Sequence, residues 1–438
     1  MFDPVNEPLF RLDVTGLPEP LEVLAFSGRE GLAEPYLFDV DVLIDDPRLD
    51  LAGLMFRPAF LRFGPAPAGV HGQLQSLVQH EHGSGSRLCR VRLAPALSCL
   101  ALRRSQRIFS GRSVPQILDQ VLKEHGIVGV QRRFRLSGHY PPQAFRTQYH
   151  ESDLQFVQRL CAQSRIHYHF EHRHDGHCLV FGDDPSNLPP AGDAPFGGTG
   201  LSRWQERNGC RMQGEAAQTA EGCTQMPQLR SGRRLSLNGP AALGGQRDWL
   251  LARVEHQAST SLDPPYSNRI ACISPDGFGL AAVPPDVPRM HSLQRAWVVA
   301  VDEPQPEPSR PVAVQFDWIY QGEGAAPSHC WLPLAPGLAD VSPAALGEGV
   351  EVVVGFVDGD PDRPVICGIL QAPAVGEPVG EHGPPADAQE SEGLAQWLGA
   401  AEPLLLLCLI PGGGSFAHCP QPVCGCRLLG AADPGGIR

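Results

Sequence analysis

A mainly β chain with a few short α-helices is what the sequence predicts, on three observations. The chain holds 48 glycines and 44 prolines in 438 residues, and each of these interrupts a helix and suits a turn. Segments such as Phe38-Asp39-Val40-Asp41-Val42 and Cys89-Arg90-Val91-Arg92-Leu93 alternate with period two, the signature of half-buried strands. Apolar residues make up 42% and charged residues 19%, enough to build cores and too little charge for a disordered chain.

The elements follow in order. From Leu9 to Leu100 the sequence reads as short β segments separated by glycine and proline turns. Two helices come next. Ser113-Val114-Pro115-Gln116 has the form of a capping box, and Ile117, Leu118, Val121 and Leu122 fall on one face behind it. Ser152-Asp153-Leu154-Gln155 repeats the start, with Leu154, Val157 and Leu160 as the apolar stripe and Phe156 beside them. Each helix is short, so packing must supply most of its stability. Ile166–Phe170 and Cys178–Phe181 read as strands joined by a turn at Asp175-Gly176. Residues 190–245 show little periodicity and are expected to be irregular. A β pattern returns at Leu250–His256 and Ala296–Val301, and Pro304–Arg310 reads as a proline-rich linker. Residues 311–370 hold four strand candidates (Val312–Phe316, Cys330–Leu332, Val350–Phe356, Val365–Leu370), which fits an OB-type barrel. Beyond Gln371 the Pro/Gly/Ala/Glu-rich sequence is expected to be disordered. The division that results is 1–100 and 101–303 as two β regions, 304–310 as linker, 311–370 as barrel and 371–438 as an acidic low-complexity tail.

The net charge of −13 argues against nucleic acid as a partner, because phosphate binding needs a basic face. The acidity is concentrated: residues 301–438 hold four basic and eighteen acidic side chains, a balance of −14. Thirteen scattered cysteines form no small-scaffold disulfide framework. Met1–Arg11 lacks a secretory signal pattern. The apolar run Leu404–Ile410 is far below the roughly 20 residues that span a bilayer, so no stable membrane insertion is expected. These readings imply synthesis in the cytoplasm with reduced thiols, and any export by a route that needs no signal peptide.

Four segments in order resemble the VgrG family, the spike proteins of bacterial type VI secretion, themselves related to contractile phage tail hubs and spikes. Leu102–Phe109 with Ser113–Gly126 resembles its "RIF…SV.EIL..VL.EHG" segment. Gln148–Leu160, which contains Glu151, Ser152 and Asp153, resembles "QY.ESD..FV.RL". Phe170-Glu171-His172 resembles "FEH", and Gly359-Asp360-Pro361-Asp362-Arg363-Pro364 resembles "GDPDRP". Tyr266-Ser267-Asn268-Arg269 and Val314–Trp318 fit the same order. The resemblance implies phage-tail-hub-like tandem β-barrels followed by an OB-type barrel. It also implies a homotrimer that docks on the Hcp tube ring, meets baseplate components and carries effector or adaptor proteins, with a mechanical role and neither catalysis nor a cofactor.

This sequence departs from the pattern in several places. Residues 371–438 lack the valine-rich needle repeat, which puts piercing and a PAAR tip in question. Pro311 stands where the barrel's first ladder opens and is expected to weaken it. Ser164-Arg165 replaces an acidic residue and a glycine, and should remove the left-handed cap of the second helix.

In the 359–364 turn, Asp360 and Asp362 suit Asx-type turns, and Arg363 is placed for an exposed ion pair worth about 0–1 kcal/mol. The turn reads as a loop-closing device, with trimer contact as the other reading. The histidines His167, His169, His172, His174 and His177 invite a metal-enzyme reading with Glu171 as base. Their position in and beside a hairpin turn favours solvated histidines instead. His418, Cys419, Cys424 and Cys426 have unusual spacing for zinc, and Ser84 lacks a nucleophile elbow. The acidic stretch from Glu377 to Glu402 reads as a solvated tail, with recruitment of a basic effector or chaperone as the alternative. The function expected is a structural spike or hub, with a phage-derived baseplate hub and a His-rich metal-dependent enzyme as alternatives.

Overall fold

The computed structural model describes residues 9–370 except 47, 65–67, 83–85, 213–214, 239–247, 281–286 and 320–328. The acidic tail, Ser84 and the 418–426 cluster lie outside the described residues. The chain forms two compact units. The first comprises residues up to 105, 111–144 and 148–288; the second comprises 106–110, 145–147 and the chain from Arg289 on.

In the first unit, six strands close a barrel: β1 (Phe10–Val14), β2 (Leu21–Gly31), β3 (Glu34–Ile44), β4 (Pro58–Phe63), β5 (Gly69–His82) and β6 (Arg87–Ala94). Their order is β1-β4-β5-β6-β3-β2, and β2 returns to β1 through Arg11↔Glu22 and Leu12↔Leu21. Strict alternation builds the wall. On β3, Tyr36, Phe38, Val40, Val42 and Ile44 point inward and are at most 1% exposed. On the outer face Asp39 and Asp41 pair with Arg92 and Arg90 of β6. Burying each large inward side chain contributes about 1.5–3 kcal/mol.

Between this barrel and the next group of strands lie β7 (Arg104–Phe109), helix α1 (Val114–Glu124), β8 (Arg132–Arg135), β9 (Arg146–Ser152), helix α2 (Asp153–Gln163), β10 (His167–Arg173) and β11 (Gly176–Gly182). Both helices start as their capping boxes require: the Gln116 side chain accepts from the Ser113 N–H, and Ser152 and Gln155 bond reciprocally. Ile117, Leu118, Val121 and Leu122 are fully buried, as are Phe156, Val157 and Leu160. The left-handed cap of α2 is not lost. Arg165 itself takes φ 54, and the Ile166 N–H reaches the Cys161 carbonyl at 2.8 Å, closing the same motif that Gly126 closes after α1. An arginine accepts the strained geometry because two otherwise orphaned carbonyls are satisfied.

A correction concerns 190–245. Rather than irregular chain, it carries β12 (Pro190–Pro195), β13 (Arg203–Met212), β14 (Glu215–Thr224) and β15 (Arg234–Asn238). With β16 (Asp248–Ser259) and β17 (Tyr266–Ile273) they form a second curled group in the order β13-β14-β17-β16, with β15 on β16 and β12 on β15. The inward residues of the early strands are small (Ala191, Ala194, Ala220) and pack around Trp249, Leu251, Val254 and Ile270, so the period-two signal is faint. Strand β16 serves both groups: Asp248–Leu250 pair with β15, and Arg253–Ser259 pair with β2.

The second unit holds a five-stranded ring: β18 (Gln294–Val298), β19 (Val312–Phe316), β20 (Cys330–Leu332), β21 (Glu351–Phe356) and β22 (Pro364–Leu370). The order is β20-β19-β18-β21-β22, and the parallel bridge Leu334↔Ile366 closes it. Two expectations are corrected here. Residues 304–310 lie between β18 and β19, inside this unit, so they are not a linker between domains. A proline run joining two strands of one ring has the composition of a linker, which is why it misleads. Pro311 sits just before Val312, and the ladder forms immediately after it: Val312 pairs with Leu332, and the Val299 N–H reaches the Ala313 carbonyl at 3.0 Å. The ring closes on Val314, Phe316, Leu332, Val352, Val354 and Ile366, all fully buried.

Candidate functional site

The motif residues 151–153 sit where β9 turns into α2. Glu151 accepts a two-pronged ion pair from Arg159 two turns along the helix, with Nη2 to Oε1 at 2.6 Å, and both side chains are buried. Ser152 caps the helix. Asp153, fully buried, accepts from Arg103 Nε at 2.5 Å and Gln148 Nε2 at 2.8 Å, and its carboxylate lies 2.6 Å from His125 Nε2. Charge-assisted bonds of this kind are shorter and stronger than neutral ones. Every one of them ties α2 to β9 or to the residues beside α1.

The 359–364 turn behaves similarly in the second unit. Asp360 accepts the Asp362 N–H at 2.9 Å, the Asx geometry the sequence suggests. Asp362 then accepts from Arg146 Nη1 and from the Thr147 N–H, both at 2.6 Å, and Thr147 Oγ1 donates to the Pro361 carbonyl at 2.9 Å. Arg363 reaches only the exposed Asp358 at 3.4 Å. Gly359 has φ +69, and a Cβ there would lie 2.9 Å from the His291 ring, so the turn needs glycine on both counts. Pro364 opens β22.

The third motif, Phe170-Glu171-His172, straddles the two faces of β10. Glu171 pairs with Arg133 at 3.2 Å and Arg135 at 3.6 Å of β8. Phe170 and His172, on the other face, meet the Tyr36 ring edge-on at 4.8 and 4.9 Å. The reading of solvated histidines fails for four of the five. His167 and His169 are 7% and 2% exposed and stack with their rings at 10°. Burial holds His167 at about 3 and His169 at about 4, far below the usual imidazole value. His172 and His177 are packed against β3 and β5, and burial lowers both, His177 to about 3. Only His174 faces solvent, beside Asp13 at 3.3 Å. The sheet faces of a hairpin laid on a barrel are interior surfaces, which the turn composition does not reveal. Among the described residues, no group of three or more His, Cys, Asp or Glu is arranged to hold a metal ion.

A buried polar chain escapes motif reading because its members are up to 238 residues apart in sequence. Thr224 Oγ1 donates to Asn268 Oδ1 (2.6 Å), Asn268 Nδ2 donates to Tyr266 Oη (3.0 Å), Tyr266 Oη lies 2.6 Å from His256 Nδ1, and His256 Nε2 lies 3.0 Å from Glu30. Arg230 stands 3.4 Å from Glu30 and lies over the Phe63 ring at 4.7 Å. Burial pushes the Glu30 carboxyl up, but the Arg230 charge and the His256 bond outweigh it and hold it at about 2. Glu30 is therefore ionised and accepts the His256 Nε2 proton, so Nδ1 accepts from Tyr266. The Tyr–His–Glu order resembles a proton relay, yet each member is at most 8% exposed, so no substrate atom reaches it. The one sequence cue was Tyr266-Ser267-Asn268-Arg269.

Comparison with known proteins gives the context of this geometry. A family profile described as phage tail baseplate hub (GPD) matches residues 29–206. The type VI secretion system spike proteins VgrG4b and VgrG5 of Pseudomonas aeruginosa are each 32% identical over 84% of this chain, and the chain spans 57% and 58% of their length. Among solved structures, an E. coli protein described as a component of the type VI secretion system similar to T4 tail proteins gp27 and gp5 superposes with TM-score 0.69. It has 22% identity and covers 82% of this chain and 99% of its own. The Francisella PdpA-VgrG complex gives TM-score 0.53 at 9% identity, over 84% of this chain and 72% of that one. Fold, motif order and sequence identity agree: the chain belongs to the VgrG family of type VI secretion spike proteins, and spans a little over half the length of these curated relatives.

Proposed function

We propose that this chain is a structural hub component of the type VI secretion machine, which bears load and carries cargo and transforms no substrate. The observation that carries the reading is where the acidic residues of the motifs, and the buried Glu30, are used. Glu151, Asp153, Asp362 and Glu30 all bond inward, to Arg159, Arg103, Arg146 and the His256–Arg230 pair. A catalytic acid or ligand must face a place a substrate can occupy; these face neighbouring strands and helices. Glu151, Ser152, Asp153 and the 359–364 turn thus hold the fold.

The strand order of the second unit, with its parallel closure, supports an OB-type barrel. The hub assembles as a homotrimer on the Hcp tube ring, contacts baseplate components and takes effector or adaptor partners. That last part is supported by the Francisella complex, in which a VgrG is bound to PdpA. The protein is cytoplasmic until firing and leaves with the machine. A phage-derived baseplate hub is the second reading, favoured by the tail-hub profile over 29–206; sheath and tube genes without capsid genes beside this one would reject it.

Sedimentation of the full chain, alone and with Hcp, tests the main reading. A trimer, or a trimer formed on adding Hcp, is expected. A monomer at micromolar concentration that fails to co-sediment with Hcp overturns it.

A further inference from the structure

The hairpin β10–β11 is laid on the first barrel through an imidazole seam whose hydrogen bonds fix its protonation. The His71 backbone N–H donates to His172 Nδ1 at 3.2 Å, so that nitrogen must carry a lone pair. The Nδ1 atoms of His71 and His177 lie 3.1 Å apart, so one bears the proton and the other accepts it. The Tyr36 hydroxyl donates to the His71 carbonyl, which leaves its oxygen only an acceptor toward His177 Nδ1 at 3.4 Å. Two of the three rings are thus required to be neutral by geometry alone. A proton added at either acceptor replaces an N–H···N bond with two facing N–H groups.

We propose that this seam is a proton lock: it holds the 167–182 hairpin on the barrel while its histidines are neutral, and acid releases the hairpin before the barrel itself unfolds. The surroundings support release. His172 faces Glu30, which favours its protonation, but also Arg230, His177 and His71, and burial is the largest influence and disfavours it. His71 faces Asp175, which favours the proton, and His174, which opposes it. His256, on β16, is buried beside Glu30 and Arg230 and is also held neutral by burial. At the hairpin tip the exposed His174 lies beside Asp13, itself near Arg62 and Arg11. That single exposed pair is weak and is set against three rings that lose their bonds.

The sign follows from linkage. The folded values of His71, His172 and His177 lie below the ordinary histidine value, with His177 at about 3, and His167 and His169 on the same hairpin, at about 3 and about 4, add to the effect with the same sign. The released hairpin therefore binds more protons than the locked one. The lock is at full strength above about pH 6.5 and weakens progressively below it, toward about pH 3.

Amide hydrogen exchange of the full chain, corrected for intrinsic rates, tests this between about pH 7.5 and 4.5. Peptides within 167–182 should lose at least about tenfold protection at the lower pH, while 34–44 and 87–94 keep theirs. Unchanged hairpin protection, or loss of hairpin and barrel together, overturns the proposal. In His177→Gln, which cannot take up a proton there, the acid-induced loss should be smaller than in the wild-type protein by at least about threefold, the other lowered histidines keeping the remainder; an undiminished loss overturns it. If that variant does not fold, imidazole C2–H exchange in the wild-type protein decides. A His177 midpoint below about pH 5, with His172 also displaced downward, supports the lock, and midpoints of both near the ordinary value of about 6.5 sink it.

Discussion

Two short motifs, residues 151–153 and 359–364, use carboxylates in the same way at different depths. Glu151 and Asp153 are closed off from water, and each meets an arginine. In the 359–364 turn only Asp362 is drawn inward, onto Arg146 and Thr147, while Arg363 and Asp358 stay in solvent. Motif resemblance alone gives these residues equal weight. Burial separates them, because breaking a buried pair exposes an uncompensated charge whereas an exposed pair is worth little.

The largest effect should come from Glu151→Gln, which removes the charge partner of a side chain that is 1% exposed. A loss of about 3–5 kcal/mol in urea unfolding is expected, and a loss under about 1 kcal/mol would erase the contrast. Asp362→Ala should cost about 1–3 kcal/mol through its lost charge-assisted bonds, with Arg363→Ala beside it within about 0.5 kcal/mol of wild type. Equal losses at 362 and 363 would mean that the turn acts as a unit. The smallest effect concerns the helix ends. Arg165→Gly relieves a left-handed arginine and should raise stability by about 0.5–1 kcal/mol, read as a shift in urea midpoint at unchanged slope.

Local features were legible where a few adjacent residues decide the outcome. The capping boxes at Ser113 and Ser152, the hairpin around Asp175-Gly176 and the Asx turn at Asp360 all formed as their chemistry requires. The β13–β14 pair was hidden because β14 turns small residues, Ala220 and Gly222, inward, and because Trp204 of β13 finds its partner Trp249 on another strand. Gln294–Val298 was assigned to the wrong neighbourhood because the proline run after it has the composition of a linker. The Glu30–Arg230–His256 cluster leaves no sequence mark, since three distant strands and loops meet only after folding. The histidine hairpin misled for a related reason: alternation reveals which residues share a face, but not what covers that face.

The double pairing of β16 has an evolutionary consequence. A bulge between Leu251 and Arg253 switches the inward parity, from Trp249 and Leu251 to Val254, His256 and Ala258. The strand thereby serves as a common stave for two curled walls. Gain or loss of one residue between Arg253 and Ser259 would turn His256 away from Glu30 and Val254 away from Ile270 in the same stroke. That short span should therefore tolerate changes of side chain far more readily than changes of length.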